Sequence, residues 1–241
     1  MNETNGVKVS QTNSSPEQRG SFEFKSAIGP YFFKFTQKIL LIFSYIFLYL
    51  FTTIKIKGRL PKKFPRGGFL IIANHKGFFD PLLLGIALPF FSNKYPLRFM
   101  AKDDFFEYFW SYLFIKVLFG SYPSYYGSGM EKSLEIPKKI LSRGGTVVLF
   151  PEGKRFLEKG VAPLKPGAGI LAESFPDTPI LPVSLYGNYN VFKRIITFHR
   201  PKISINIGDI FTLSEECRNN PSLTPTDIFT DKITTLYEEI F

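Results

Sequence analysis

Sixteen consecutive residues without a charge, Ile39 to Ile54, constrain this chain more than any other feature of its sequence. Phe32, Phe33 and Phe35 lead into the run, which reads Ile39-Leu-Leu-Ile-Phe-Ser-Tyr-Ile-Phe-Leu-Tyr-Leu-Phe51 before Thr52-Thr-Ile54. As a helix rising about 1.5 Å per residue it covers roughly 24 Å, short of the roughly 30 Å of bilayer hydrocarbon. A marginal span and an obliquely embedded helix both fit that length. A helix apolar on every face and placed at the periphery of the chain argues against burial in a soluble core. Lys25, Lys34 and Lys38 precede the run, and Lys55, Lys57, Arg59, Lys62, Lys63 and Arg66 follow it. The excess on the following side predicts a membrane protein whose remaining chain lies on the cytoplasmic side, and both flanks suit anionic headgroups.

Around this segment the chain divides into three parts. Residues 1–25 form an expected disordered tail, because Met1 to Gly20 carry almost no large apolar side chain. Their polar start and Glu3 do not read as a secretory signal. Residues 26–56 read as the membrane-associated helical segment and 57–241 as one catalytic-sized domain. Net charge enters here: 30 Lys and Arg against 20 Asp and Glu leave +10. Such a surplus calls for an anionic partner, whether nucleic acid, an acidic carrier protein or a membrane face. The 28 Phe occur in runs among aliphatic residues. Nucleic-acid binders instead interleave a few stacking aromatics with basic residues, so the composition points to lipid and away from nucleic acid.

Beyond Gly58 the pattern alternates between strand and helix, which predicts an α/β fold with a central, mostly mixed sheet flanked by helices. Ile54–Lys57, Phe69–Ala73, Leu97–Ala101, Thr146–Phe150, Ile180–Tyr186 and Ile203–Ile207 read as strands, with the fully apolar second one central. A helix from Asp103 presents Phe105, Phe106, Phe109, Trp110, Leu113, Phe114 and Val117 on one face. That face reads as core, with an acyl groove as the other possibility. Ser128 and Glu131 resemble a capping box opening a helix toward Arg143, in which Pro137 predicts a break or a late start. Helices are also expected from Gly167 to Phe175 and from Thr226 to Phe241, the last burying Ile228, Ile233, Leu236 and Ile240. No internal repeat is present.

One Cys and two His exclude a disulfide scaffold, a thiolate zinc site and a His-rich metal site. Imidazole chemistry therefore falls to His75 or His199. His199 lies between Phe198 and Arg200 with no carboxylate nearby, and Cys217 sits in a polar stretch to which no role attaches. His75 follows the apolar strand in Asn74-His-Lys-Gly-Phe-Phe-Asp80-Pro81. On one continuous helix a spacing of five would put His75 and Asp80 about 140° apart, so they can meet only across a loop. Asp80-Pro81 supplies that loop's end as an N-cap followed by a first-turn proline. An Asp there can orient a His in the preceding turn and leave its other nitrogen as a general base. The alternative is an Asp that only caps and a His that is a polar loop residue. Phe150-Pro-Glu-Gly-Lys-Arg155 follows another apolar strand. Pro151 and Gly153 permit a tight turn at a strand's carboxyl end, where open α/β sheets bind ligands. Glu152, Lys154 and Arg155 give one acceptor and two cations for a polar headgroup, or else a solvated charged turn.

In combination these blocks resemble the glycerolipid acyltransferases, the family typified by lysophosphatidic acid acyltransferase. Asn74-His75 with Asp80 is similar to their NHxSxxD signature, and Phe150-Pro-Glu-Gly-x-Arg155 to their FPEG(T)RS signature. Leu181-Pro-Val183 with Gly187, Leu164-Lys-x-Gly167 and Phe99-Met-Ala-Lys102 look like three further blocks, so the resemblance covers roughly Ile54 to Gly187. It implies a membrane-bound O-acyltransferase of phospholipid biosynthesis that moves a fatty acyl group from acyl-CoA or an acyl carrier protein to a lysophospholipid, most simply lysophosphatidic acid. His75 would be the general base and Asp80 its orienting partner, with Glu152, Gly153 and Arg155 holding the acceptor headgroup. An activated thioester implies no metal and no redox or organic cofactor, the donor being a substrate. Oligomeric state is left open.

Four positions depart from the family pattern. Gly77 stands where the family has Ser, and Lys154 and Phe156 stand where it has Thr and Ser. In Gly120-Ser-Tyr-Pro-Ser-Tyr-Tyr126, Tyr126 falls where the family places a phosphate-binding Arg. A phenol donates one hydrogen bond but brings no charge, so phosphate recognition would lean on Arg155 and Lys154, with Lys102 as a further cation. Two alternatives therefore stay open: an acyltransferase of the same class acting on a non-phosphate lipid, and a non-catalytic lipid-binding descendant.

Overall fold

The computed structural model describes residues 29–102, 115–116, 119–125, 129–197 and 199–240. The expected tail, the aromatic helix face from Phe105 to Phe114 with Val117, Tyr126 and Ser128 lie outside those residues. Seven strands are described: β1 (Thr53–Lys57), β2 (Phe69–Ala73), β3 (Leu97–Lys102), β4 (Tyr122–Ser124), β5 (Thr146–Leu149), β6 (Ile180–Tyr186) and β7 (Lys202–Ile207). They form one sheet in the order β1-β7-β6-β2-β5-β3-β4. Every neighbouring pair is parallel except β6 with β7. The expected mixed sheet is therefore parallel over five strands, and β2 to β6 all end at one edge. β2 is the middle strand and all five of its residues are buried, which is why its sequence is apolar without alternation.

Helices cover both faces: α1 (Gly29–Phe51), α2 (Asp80–Ala87), α3 (Met130–Ser142), α4 (Gly167–Glu173), α5 (Val191–Ile196), α6 (Leu213–Asn219) and α7 (Pro225–Glu238). The period of two along β2 divides the core. Phe69, Ile71 and Ala73 pack with Leu41 and Leu48 of α1 and Leu83 and Leu84 of α2. Leu70 and Ile72 pack with Leu134 and Leu141 of α3, Leu171 of α4 and Ile228, Phe229 and Ile233 of α7.

α1 is apolar nearly all round, yet it is docked along the domain. Phe33, Gln37, Leu41, Ser44 and Leu48 form a buried stripe at helical spacing. The Gln37 side-chain amide fastens it by donating to the carbonyls of Leu97 at 2.5 Å and Phe119 at 2.9 Å, while its oxygen accepts from the Leu97 N–H at 2.8 Å. At the other end Arg200 donates to the carbonyls of Tyr49 at 3.0 Å and Thr52 at 3.2 Å, satisfying groups that a helix terminus leaves open. Tyr31, Phe35, Phe43, Tyr45, Tyr49 and Leu50 remain exposed on the outer side. The helix stops at Phe51, and Ile54 belongs to β1, where it lies beside Ile203 of β7. The sheet thus begins at Thr53, ahead of the boundary expected at residue 57.

Other differences have local causes. α3 starts after Gly129, which offers no side-chain cap, and runs through Pro137 without stopping. The proline ring is itself buried, in register with Leu134 and Leu141, so packing outweighs the lost backbone bond. α7 starts with the Thr224–Asp227 capping box and buries Ile228, Ile233 and Leu236 as expected, while Ile240 lies past its last turn and is half-buried. β4, α5 and α6 have three, six and seven residues, too few for a periodic signal.

The α1 clamp makes a prediction. Gln37→Leu strands three backbone groups and should lower unfolding stability by about 2–3 kcal/mol. Tyr45→Ser on the exposed side should change it by less than about 0.5 kcal/mol. Urea denaturation in detergent measures both.

Candidate active site

The carboxyl ends of β2, β5 and β6 bring three loops to one edge of the sheet, the edge where open α/β sheets bind ligands. β2 delivers Asn74 and His75. Asn74 is fully buried, and its amide pairs with both backbone groups of Leu185, donating at 2.9 Å and accepting at 2.7 Å. It thereby continues the β2–β6 pairing with a side chain where the backbone of β2 turns away.

His75 Nδ1 lies 2.6 Å from Asp80 Oδ2, and the intervening loop gives the geometry that a continuous helix forbids. The same oxygen accepts from the Lys76 N–H at 2.6 Å and the Gly77 N–H at 3.0 Å, while Oδ1 accepts from the Asn188 amide. Asp80 is fully buried. It was expected as an N-cap, but Phe79 holds that position and Asp80 is the first residue of α2. Its carboxylate turns back onto the preceding loop instead of onto its own helix. A carboxylate at Nδ1 selects the tautomer with the proton there and leaves the lone pair on Nε2. The His75 ring stacks on Phe150 at 4.3 Å and 16°, and its side chain keeps 22% exposure, enough for a substrate group to reach it.

Asn188 is the member of this cluster that sequence reasoning missed. It stands 108 residues from Asp80, just after the Gly187 block, and only the β2–β6 adjacency brings the two together. It also explains Gly77. A Cβ on Gly77 would sit 2.7 Å from the Asn188 carbonyl oxygen, so the serine of the family signature does not fit this loop.

The second block divides. Glu152 is 2% exposed, and Ala162 N–H donates to it at 3.3 Å. Burial pushes its carboxyl up to about 7, against the Ala162 amide, the Lys76 charge and the His75 backbone and ring. Glu152 was expected to grip a headgroup together with Arg155, but its carboxyl is buried, unlike the exposed side chains of Lys154 and Arg155. Gly153 (φ +69°), Lys154 and Arg155 are exposed at the rim, and neither cation has a hydrogen-bond or ion-pair partner among the described residues. Any Cβ at Gly153 would meet the Lys165 side chain at 2.9 Å, so the glycine lets that lysine lie across the turn as a third cation. His199 is exposed and bonds Thr197 locally, and Cys217 is half-buried, so neither joins the site.

Fold and site together define an α/β protein with an oriented imidazole–carboxylate pair at the carboxyl edge of its sheet and cations at the rim. The Acyltransferase family model matches residues 54–186, more than half of the 241 residues, and the chain belongs to that family. The "Probable 1-acyl-sn-glycerol-3-phosphate acyltransferase" of Mycoplasma pneumoniae is 30% identical over 144 residues, covering 59% of this chain and 53% of its own length. The 1-acyl-sn-glycerol-3-phosphate acyltransferase of Bacillus subtilis is 32% identical over 120 residues, covering 50% of this chain and 56% of its own. The chain thus spans about half the length of the curated relatives it matches. Its fold is similar to that of the 1-acyl-sn-glycerophosphate (LPA) acyltransferase from Thermotoga maritima, with a TM-score of 0.64 at 21% identity over 86% of this chain and 80% of that one. The family and fold expected from the sequence blocks are borne out.

Glu152 makes a prediction with a definite sign. The folded state holds its proton to about pH 7, whereas an unfolded carboxyl releases it near 4.5. Stability should then fall as pH rises between those values. Glu152→Gln carries no such proton, so its melting temperature relative to wild type should rise between about pH 5 and about pH 8. Thermal melts across that range measure it.

Proposed function

We propose that the protein is a membrane-bound O-acyltransferase that moves a fatty acyl group from an acyl-CoA or acyl carrier protein thioester to 1-acylglycerol-3-phosphate, giving phosphatidic acid. The observation that carries the reading is the 2.6 Å contact between His75 Nδ1 and the buried Asp80 carboxylate. With Nδ1 engaged, Nε2 accepts the proton of the acceptor hydroxyl as its oxygen attacks the thioester carbonyl. Asp80 keeps the ring oriented and offsets the charge of the imidazolium that forms. Collapse of the tetrahedral intermediate breaks the carbon–sulfur bond, and the departing thiolate takes the proton from Nε2. Because the thioester is already activated, one base and correct positioning suffice.

Lys154 and Arg155, exposed beside the site, are the acceptor's phosphate ligands in this reading, with Lys102 and Lys165 as further cations. The similarity to the 1-acyl-sn-glycerol-3-phosphate acyltransferases of Mycoplasma pneumoniae and Bacillus subtilis supports an acylglycerol-phosphate acceptor. Membrane attachment rests on α1. Its outer face from Tyr31 to Phe51 is exposed and apolar while its inner face is docked, which favours an embedded helix over an independent span. The basic residues from Lys55 to Arg66 favour the cytoplasmic side for the catalytic domain, through attraction to the anionic headgroups of that leaflet.

Acyl transfer to lysophosphatidic acid by purified enzyme tests the reading. His75→Ala and Asp80→Asn should each lower kcat by about 100-fold to 10,000-fold without unfolding the protein. Arg155→Ala should raise KM for lysophosphatidic acid about tenfold with kcat within about threefold, and should leave a monoacylglycerol acceptor unaffected. Undiminished turnover by His75→Ala would end the base assignment.

A further inference from the structure

The proposed mechanism leaves one buried charge beside it unused. Lys76, next after His75, is 3% exposed. An ammonium out of water is costly unless its protons find acceptors. Its Nζ crosses from the His75 loop to the segment that follows Arg155. There it donates to the carbonyl of Glu158 at 2.8 Å and to that of Gly160. The same nitrogen lies 4.7 Å from the ring centroid of Phe156 and 5.2 Å from that of Tyr237 on α7, so two aromatic faces wall the cation. Asp80 and Glu158 supply surrounding negative charge, as does Glu152 in its ionised form. One residue earlier, the His75 carbonyl accepts from the Phe156 N–H at 2.8 Å. Two adjacent residues of the catalytic loop therefore hold both ends of 156–160. Phe156, a departure from the family signature, forms one wall of the lysine's cage.

We propose that Lys76 is a positioning residue for acceptor binding. It fastens the 156–160 segment onto the His75 loop and so holds Lys154 and Arg155 at a fixed reach from the imidazole. The inference rests on the reading that Arg155 binds the acceptor's phosphate. A lysine present only for stability would change how much enzyme folds, whereas a positioning lysine changes how well the folded enzyme binds the acceptor.

The test is steady-state acyl transfer to lysophosphatidic acid at saturating thioester, with melting temperatures recorded for every variant. Lys76→Met keeps the stem and removes the cation. It should raise acceptor KM about tenfold, leave kcat per folded enzyme within about threefold, and add little when Arg155 is already alanine. Lys76→Arg keeps a cation and its donors and should recover most of the lost affinity. If Lys76→Met does not fold, Phe156→Leu removes one wall of the cage and should raise KM in the same direction, again with little effect beyond Arg155→Ala. A lowered melting temperature with unchanged KM in the folded variants would overturn the inference, as would effects that simply add to those of Arg155→Ala. If Arg155→Ala itself leaves KM unchanged, the headgroup reading fails and the inference falls with it. If Arg155→Ala raises KM but neither Lys76→Met nor Phe156→Leu does, only the role of Lys76 is overturned.

Discussion

Asp80 carries a carboxylate with no contact to water, and an ion in that position persists only if its lone pairs are met by donors. Four donors meet them: the His75 ring, the backbone amides of Lys76 and Gly77, and the side-chain amide of Asn188. Three of the four come from the loop after β2 and the fourth from the loop after β6, so the carboxylate requires those two strands to be neighbours. Asn74 enforces the same adjacency by pairing with Leu185. The order of the sheet, the direction of the first turn of α2 and the orientation of the imidazole are thus one linked arrangement. A change at Asn74 or Asn188 acts on His75 without touching it.

The second buried carboxyl shows what happens when such compensation is incomplete. Glu152 accepts from the Ala162 N–H across 3.3 Å and is also acted on by the His75 backbone, but its Oε2 has no hydrogen-bond partner among the described residues. Desolvation then favours its neutral form near pH 7. Two buried acidic residues at one edge of the sheet thus differ in what surrounds them: four donors, the His75 ring among them, meet the Asp80 carboxylate, whereas Oε2 of Glu152 has no hydrogen-bond partner among the described residues. Around both, among the described residues, α1 and α2 pack on one face of the sheet, and α3, α4 and α7 on the other.

His75, Asp80, Lys154 and Arg155 were legible in the sequence because each lies in a short block at the end of an apolar strand, where motif and position in the fold coincide. β2, β5 and β6 were legible for the same reason, being long apolar runs. What escaped depended on contacts between distant segments. Nothing local distinguishes Asn188 from any loop asparagine, and Gly77 reads as a missing serine until the Asn188 carbonyl is seen against it. The burial of Glu152 follows from β5 lying inside the sheet, which the turn residues around it do not reveal. Gln37 sits four residues before Leu41 on the docked stripe, but a glutamine leading into an apolar run carries no sign that its amide will clamp Leu97 and Phe119.

The central claim is that Asp80 fixes the His75 ring with its proton on Nδ1 and its lone pair on Nε2. With only two histidines in the chain, nitrogen-15 NMR of imidazole-labelled protein tests this directly, and a His199→Gln variant assigns the signals. The account predicts that neutral His75 shows a protonated Nδ1 and a bare Nε2, and that Asp80→Asn abolishes this preference. A neutral His75 protonated on Nε2, or a tautomer indifferent to Asp80→Asn, would contradict it.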